Sequence, residues 1–201
     1  MTRTGFRSLK WADYYLYAII DPRGLFRQIS AGESWAFPLS FTVPAFVALM
    51  QIITLSSLGN QTPFFYYKIS YGWILLFLYL ALKIVVSSAL MDLLSQFMGN
   101  QGRMRETICL VNYSFFPRAF LLPLVSVFRV LNFAPLFFYM FISMILFLWS
   151  AVIAVQGLSE MHSESTGRAL LIYIFPWIFM GIILFFMGLL SLICLFGLIF
   201  T

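Results

Sequence analysis

The sequence predicts an all-α integral membrane protein, a five-helix bundle with a short amphipathic N-terminal lead. Three observations carry this. Of the 201 residues, 62% are hydrophobic and only 9% charged, more apolar surface than a water-facing domain can hide. Five apolar stretches, at 36–58, 71–97, 107–130, 134–157 and 171–198, each reach the ~20 residues that a helix needs to cross hydrocarbon. Their unbroken character, as in LLIYIFPWIFMGIILFFMGLLSLICLFGLIF, is unlike the short alternating strands of a membrane barrel.

Chain-breaking residues fall between the stretches. Asn60, Gln61, Thr62 and Pro63 separate the first two, Gly99, Asn100, Gln101 and Gly102 the next pair, and residues 131–135 form a tight turn before the fourth. Pro135 suits a first helical turn, where its missing amide hydrogen costs no internal bond. The polar run SEMHSESTGR forms the last joint. Alternating the five spans places Arg3, Arg7, Lys10, Arg23, Arg27, Arg103, Arg105 and Arg168 on one side, against Lys68 and a terminal Arg129 on the other. Positive loops stay inside, so the N-terminus is expected in the cytoplasm and the C-terminus, after an odd number of spans, outside. The net charge of +5 therefore reports topology, and no nucleic-acid surface is expected.

Residues 1–35 form a cytoplasmic and interfacial lead, and residues 36–201 the membrane domain. The basic opening MTRTGFRSLK is followed by Asp13 and by Asp21-Pro22 without a small-residue cleavage site, unlike a cleaved secretory peptide. Leu9, Trp11, Tyr14, Tyr15, Tyr17, Ile19 and Ile20 predict a short helix lying on the membrane and stopping near Pro22, with Leu25, Phe26 and Ile29 on the same surface. Trp11, Arg23, Arg27, Arg103 and Arg105 are the candidate contacts to lipid or to a partner, the arginines meeting anionic headgroups.

Lys83, Asp92 and Arg118 are charges inside apolar runs, where exposure to lipid is expensive. At 1.5 Å of rise per residue, Asp92 lies roughly 9 Å above the inner end of its helix and Arg118 roughly 17 Å above the start of the next. A long arginine stem spans that difference, so an Asp92–Arg118 tie, assisted by Asn112, is expected between spans two and three. Lys83 lies about half a rotation from Asp92 and cannot share its partner. Lys83, Asp92, Asn112 and Arg118 are thus a candidate intramembrane polar network, structural in the plainer reading and part of an ion or substrate path in the sharper one. Pro44, Pro117, Pro123 and Pro176 each free a carbonyl one turn earlier, and Pro117 is placed to aim Arg118 into a crevice. Gly181, Gly188 and Ser191 permit a close helix contact without forming a strict GxxxG motif.

Glu160, His162 and Glu164 are a candidate loop interaction. They lack HExxH spacing and a second ligand cluster, so solvated loop chemistry is expected in place of a metal. Cys109 and Cys194 lie in apolar runs with no CxxC pattern and read as buried thiols. With no phosphate-cradling loop, nucleophile elbow or convincing carboxylate pair, neither enzymatic activity nor a cofactor is expected.

DPRGLFRQISAGESWAFPLSF, MGNQGRMRETICLVNYSFFPRAFLLPL and WSAVIAVQGLSEMHSESTGRAL, in that order, resemble the lead and first span, the glycine-bearing loop with third span, and the fourth joint of Yip1-domain membrane proteins of the prokaryotic type. Gly157, Leu158, His162, Ser165 and Ala169 fall at matching features. The resemblance implies a non-enzymatic integral protein of a prokaryotic plasma membrane, a scaffold or accessory factor whose partners are the bilayer, other integral membrane proteins and, for self-association, its own copies. The GTPase contact of eukaryotic members relies on a longer N-terminal region than this short basic lead. A permease, channel or lipid-translocating protein, using a polar crevice between spans two and three, is the competing expectation.

Overall fold

The computed structural model describes residues 11–30, 35–58, 64–131 and 134–199, and every regular element among them is helical. The lead contains α1 (Trp11–Ile20) and α2 (Pro22–Ser30). The first span combines α3 (Ala36–Ser40) with α4 (Thr42–Leu58), and the second is α5 (Phe64–Phe97). The third is divided into α6 (Met104–Ser114), a 3-10 turn (Phe116–Phe120) and α7 (Leu121–Val130), while α8 (Pro135–His162) and α9 (Thr166–Ile199) make the fourth and fifth. All five are long and apolar enough to cross a membrane. Arg3, Arg7, Lys10, the joint at residues 60–63 and Asn132-Phe133 lie outside the described residues, as do the side chains of Trp11, Lys68 and Cys194.

The third span is the hub. In its most apolar window 67% of residues are buried, against 11% in that of the fifth; the lead and the first, second and fourth spans surround it, while α9 packs on α5 and α8 and keeps most of its surface outward. Pro117 has no amide hydrogen for the ladder. Helix α6 accordingly closes at Ser114, the Phe115 amide turns back to the Asn112 and Tyr113 carbonyls, and the Arg118 amide bonds the Phe115 carbonyl at 3.0 Å. This break separates two hydrophobic clusters. The larger includes Ile84, Met91, Leu110, Tyr113, Ile153 and Leu158; the smaller consists of Leu121, Val125, Ile142 and Leu146.

The lead is built into the larger cluster instead of only resting on lipid. Tyr14, Ala18, Leu25, Phe26 and Ile29 are buried there, Tyr14 stacks on Tyr113 with ring centres 5.9 Å apart, and Arg27 pairs with Glu160 at 2.6 Å. Gly157 makes this seating possible. A Cβ on it would lie 2.4 Å from Phe26 Cδ2 and 2.6 Å from Leu110 Cδ1, so only glycine lets α2 and α6 close on α8.

Helix α8 also runs further than hydropathy implies. Ser159, Glu160, Met161 and His162 are helical, and the joint shrinks to Ser163, Glu164 and Ser165. Ser163 takes a left-handed conformation at φ 52°, and the amides of Ser163 and Glu164 bond back to the carbonyls of Glu160 and Ser159. These bonds satisfy the last carbonyls of the helix as a glycine cap would.

Because Gly157 leaves no room for a side chain, Gly157→Leu is expected to cost about 1–3 kcal/mol by overpacking and to loosen the lead. A lower unfolding midpoint in detergent, with faster proteolytic cleavage at Arg23 and Arg27, is the expected result; an unchanged midpoint would contradict this packing.

Candidate functional site

The polar residues singled out by sequence separate into two layers. One lies at the end of the bundle where α2, the end of α5, the start of α6 and the end of α8 meet, called the base here. Asp92 is only 6% exposed, and both its oxygens are used: Oδ1 accepts the Arg103 amide at 2.7 Å and Oδ2 the Gln96 side-chain amide at 2.8 Å. It therefore caps α6, placing negative charge at the positive end of that helix. The reversal of chain at Gly99, with φ 91°, brings the Arg103 amide back to it. Arg103 reaches the Met161 carbonyl at 3.5 Å, and Ser95 Oγ lies 3.3 Å from the ring nitrogens of His162.

The expected Asp92–Arg118 tie is not formed, and Asn112 does not assist it. A backbone donor eleven residues on in sequence reaches Asp92 first, while the 3-10 turn directs Arg118 elsewhere. Asn112, fully buried, donates to Ser40 Oγ at 2.8 Å and fastens α6 to the first span beside the Tyr113 hydroxyl, which donates to the Ala36 carbonyl at 3.2 Å. Glu160, His162 and Glu164 do not converge either: Glu160 pairs with Arg27, Glu164 with Arg168 at 3.0 Å, and His162 faces Ser95. Among the described residues no group of three His, Cys, Asp or Glu side chains is placed to hold a metal ion. Arg105 lies over the Phe37 ring at 5.2 Å, and Arg23 is exposed on α2.

The second layer lies halfway along the spans. Lys83 is next to the centre of the Tyr71–Phe97 span and Arg118 next to the centre of Met104–Val130. Lys83 Nζ sits 4.6 Å from the centre of the Trp177 ring. The Arg118 guanidinium lies 4.3 Å from the Phe115 ring and 5.2 Å from the Phe147 ring. Phe147 and Trp177 meet edge to face at 5.7 Å and 88°, so an aromatic partition stands between the cations. Arg118 Nε is buried with no hydrogen-bond partner, and among the described residues neither cation is in an ion pair.

Magnitudes show why this layer is unusual. A cation at the centre of a membrane helix costs about 2.5–3.5 kcal/mol on an insertion scale, and a desolvated cation–π contact returns about 2 kcal/mol. The rings offset much of the cost of each charge but supply no acceptor for its N–H groups. Phe115, Phe147 and Trp177 are the residues that sequence reasoning missed. Trp177 carried a signal: tryptophan favours the membrane interface, and one near mid-span calls for a local reason.

Grooves open on both sides of the partition. One of about 380 Å³ runs between α5 and α9 past Lys83, Ser87, Trp177 and Gly181. Another of about 370 Å³ joins Arg118 to Tyr139, Ser143 and Phe147. Leu82, Val86, Met180 and Leu184 in the first, and Met140 and Met144 in the second, are exposed on the outside of the bundle.

These features define a five-span helical membrane protein with a polar, internally bonded base and a cationic layer at mid-depth. Residues 16–199 match the Yip1 domain, and the chain belongs to that family. No curated protein and no solved structure matches it.

The two layers respond oppositely to apolar substitution. Asp92→Leu is expected to destabilise the detergent-solubilised chain by about 1–3 kcal/mol, since it strands the donors that Asp92 satisfies, whereas Asp92→Asn preserves an acceptor and most of the stability. Arg118→Leu and Lys83→Met are expected to be neutral or stabilising by about 1–4 kcal/mol, as when buried charge gives way to apolar packing. Unfolding midpoints measure both, and a large loss in Arg118→Leu would reveal an acidic partner within the chain.

Proposed function

We propose that the chain is a non-enzymatic scaffold or accessory factor of a prokaryotic plasma membrane, N-terminus cytoplasmic and C-terminus outside, that acts on other integral membrane proteins. The observation that carries this reading is the filled interior between the base and mid-depth. Ile84, Met91, Leu110, Val111, Ile153 and Leu158 are buried in one cluster there; Asp92 is bonded through both oxygens and the Asn112 amide donates to Ser40, while Asn112 Oδ1 and Ser88 Oγ are isolated buried polar atoms within that apolar packing. A permeation path needs polar groups lining a continuous route. Here the outer surface is what remains unused: most of α9 and much of α5 and α8 face outward with large apolar side chains, the kind of surface that lipid or neighbouring helices cover.

The orientation follows the positive residues. Arg23, Arg27, Arg103, Arg105 and Arg168 are grouped by the base contacts and the short joints beside them, and a positive base is expected in the cytoplasm. Lipid translocation, the main rival, has the mid-depth cations in its favour, and against it stands the apolar cluster that fills the described interior between them and the base.

Reconstitution tests the reading. Purified protein in vesicles is expected to give proton, potassium and fluorescent-phospholipid fluxes equal to those of protein-free vesicles. Photo-crosslinking from Leu148 or Phe185 in native membranes is expected to give discrete protein adducts. Protein-dependent flux abolished by Arg118→Leu would overturn the proposal, as would the absence of discrete adducts.

A further inference from the structure

Lys83 stands at a depth where this chain has no carboxylate. Among the described residues it contacts the Trp177 ring and makes no hydrogen bond or ion pair. The chain has only seven side-chain carboxylates. Asp13, Asp21 and Glu33 precede the first span; Asp92 and Glu106 flank the joint between spans two and three, and Glu160 and Glu164 that between four and five. None lies at mid-span, so a second copy packed in the same orientation and depth brings no carboxylate to Lys83.

Lipid phosphate is no better placed. The hydrocarbon layer is about 30 Å thick, so headgroups stand about 15 Å from its centre, further than a lysine stem extends. Lys83 is nine residues from Asp92, about 14 Å along the helix axis, which sets it well away from the base. An acid reaches this depth most readily when a membrane-spanning helix carries it.

The groove has room for such a helix. A Cβ added to Gly181 would meet nothing within 4 Å, and Gly181 and Ser87 are small residues on opposite walls. Small residues let helix backbones approach closely in a membrane. Val86, Met180 and Leu184 provide exposed apolar contact beside Lys83, and the Ser87 hydroxyl adds a donor.

We infer that the groove between α5 and α9 receives a transmembrane helix of a different membrane protein, one carrying an Asp or Glu at the depth of Lys83. The partner's carboxylate accepts from Lys83 Nζ while its backbone packs beside Gly181 and Ser87. This contact rests on the accessory-factor reading and gives it a chemical address. Flux would overturn that reading without bearing on helix binding, and failure of helix binding would remove this contact without removing adducts formed elsewhere.

The test uses a synthetic polyleucine transmembrane peptide with Glu, Leu or Lys at its centre. The peptide is co-reconstituted with the full chain in phosphatidylcholine vesicles, and association is read by energy transfer. The Glu-centred helix is expected to bind about ten-fold more tightly than the Leu-centred one. Lys83→Met should erase that difference, Lys83→Arg should keep it, and Lys83→Glu should shift the preference to the Lys-centred helix. Equal binding of the Glu- and Leu-centred helices to the unmodified chain would overturn the proposal even if a variant failed to fold. So would a preference surviving Lys83→Met, or displacement of the Glu-centred helix by phosphatidylglycerol, which would assign the groove to lipid phosphate.

Discussion

Pro117 withholds one amide hydrogen from the most enclosed span of the protein, and much of the architecture follows from how that loss is accommodated. Inside a membrane there is no water to satisfy a freed carbonyl, so a broken helix is tolerated where protein surrounds it. The chain meets this requirement by turning back at Phe115, passing through a 3-10 segment and resuming as α7. The break separates the larger hydrophobic cluster from the smaller one, and Arg118 emerges in the turn between them. A straight third helix would give this side chain a different direction.

The two polar layers then differ in how completely they are satisfied. At the base, backbone groups and side chains answer each other at short range: Asp92 caps α6 and Arg27 meets Glu160. These bonds hold the lead and the joints in place, and Gly157 allows the packing beneath them to close. At mid-depth the partners are aromatic faces. Such faces stabilise a cation by their quadrupoles and accept no conventional hydrogen bond, whereas the buried charge of the base, Asp92, has both oxygens hydrogen-bonded.

Much of the fold was legible because hydropathy measures depth, and depth decides span number. The first span begins and ends, and the second ends, at the limits that the sequence implies, while the helix of the second starts earlier, at Phe64. Azimuth and local backbone geometry were less legible. The Asp92–Arg118 expectation compared heights along two axes and treated the third span as a regular helix; the 3-10 turn changed the direction of Arg118, and the reversal at Gly99 delivered a nearer donor to Asp92. Ser163 hid the true end of α8 because a serine holds the left-handed position that glycine usually marks. Trp177 shows the reverse case, in which an aromatic at an unexpected depth marked the neighbourhood of Lys83.

The placement of acids gives the cationic layer its significance. With carboxylates confined by sequence to the lead and to the span ends and joints at the base, none stands at the depth of Lys83 or Arg118. Burying either more deeply would raise its desolvation cost, and moving either to the headgroups would require displacement through packed helices. The remaining physical route to compensation is external, through a surface that arrives at the same depth. Natural proteins retain unfavourable groups where function requires them and stabilise the surrounding structure elsewhere. Here the bonded base and the glycine-closed seat of the lead provide that support, leaving the groove beside Lys83 available for association.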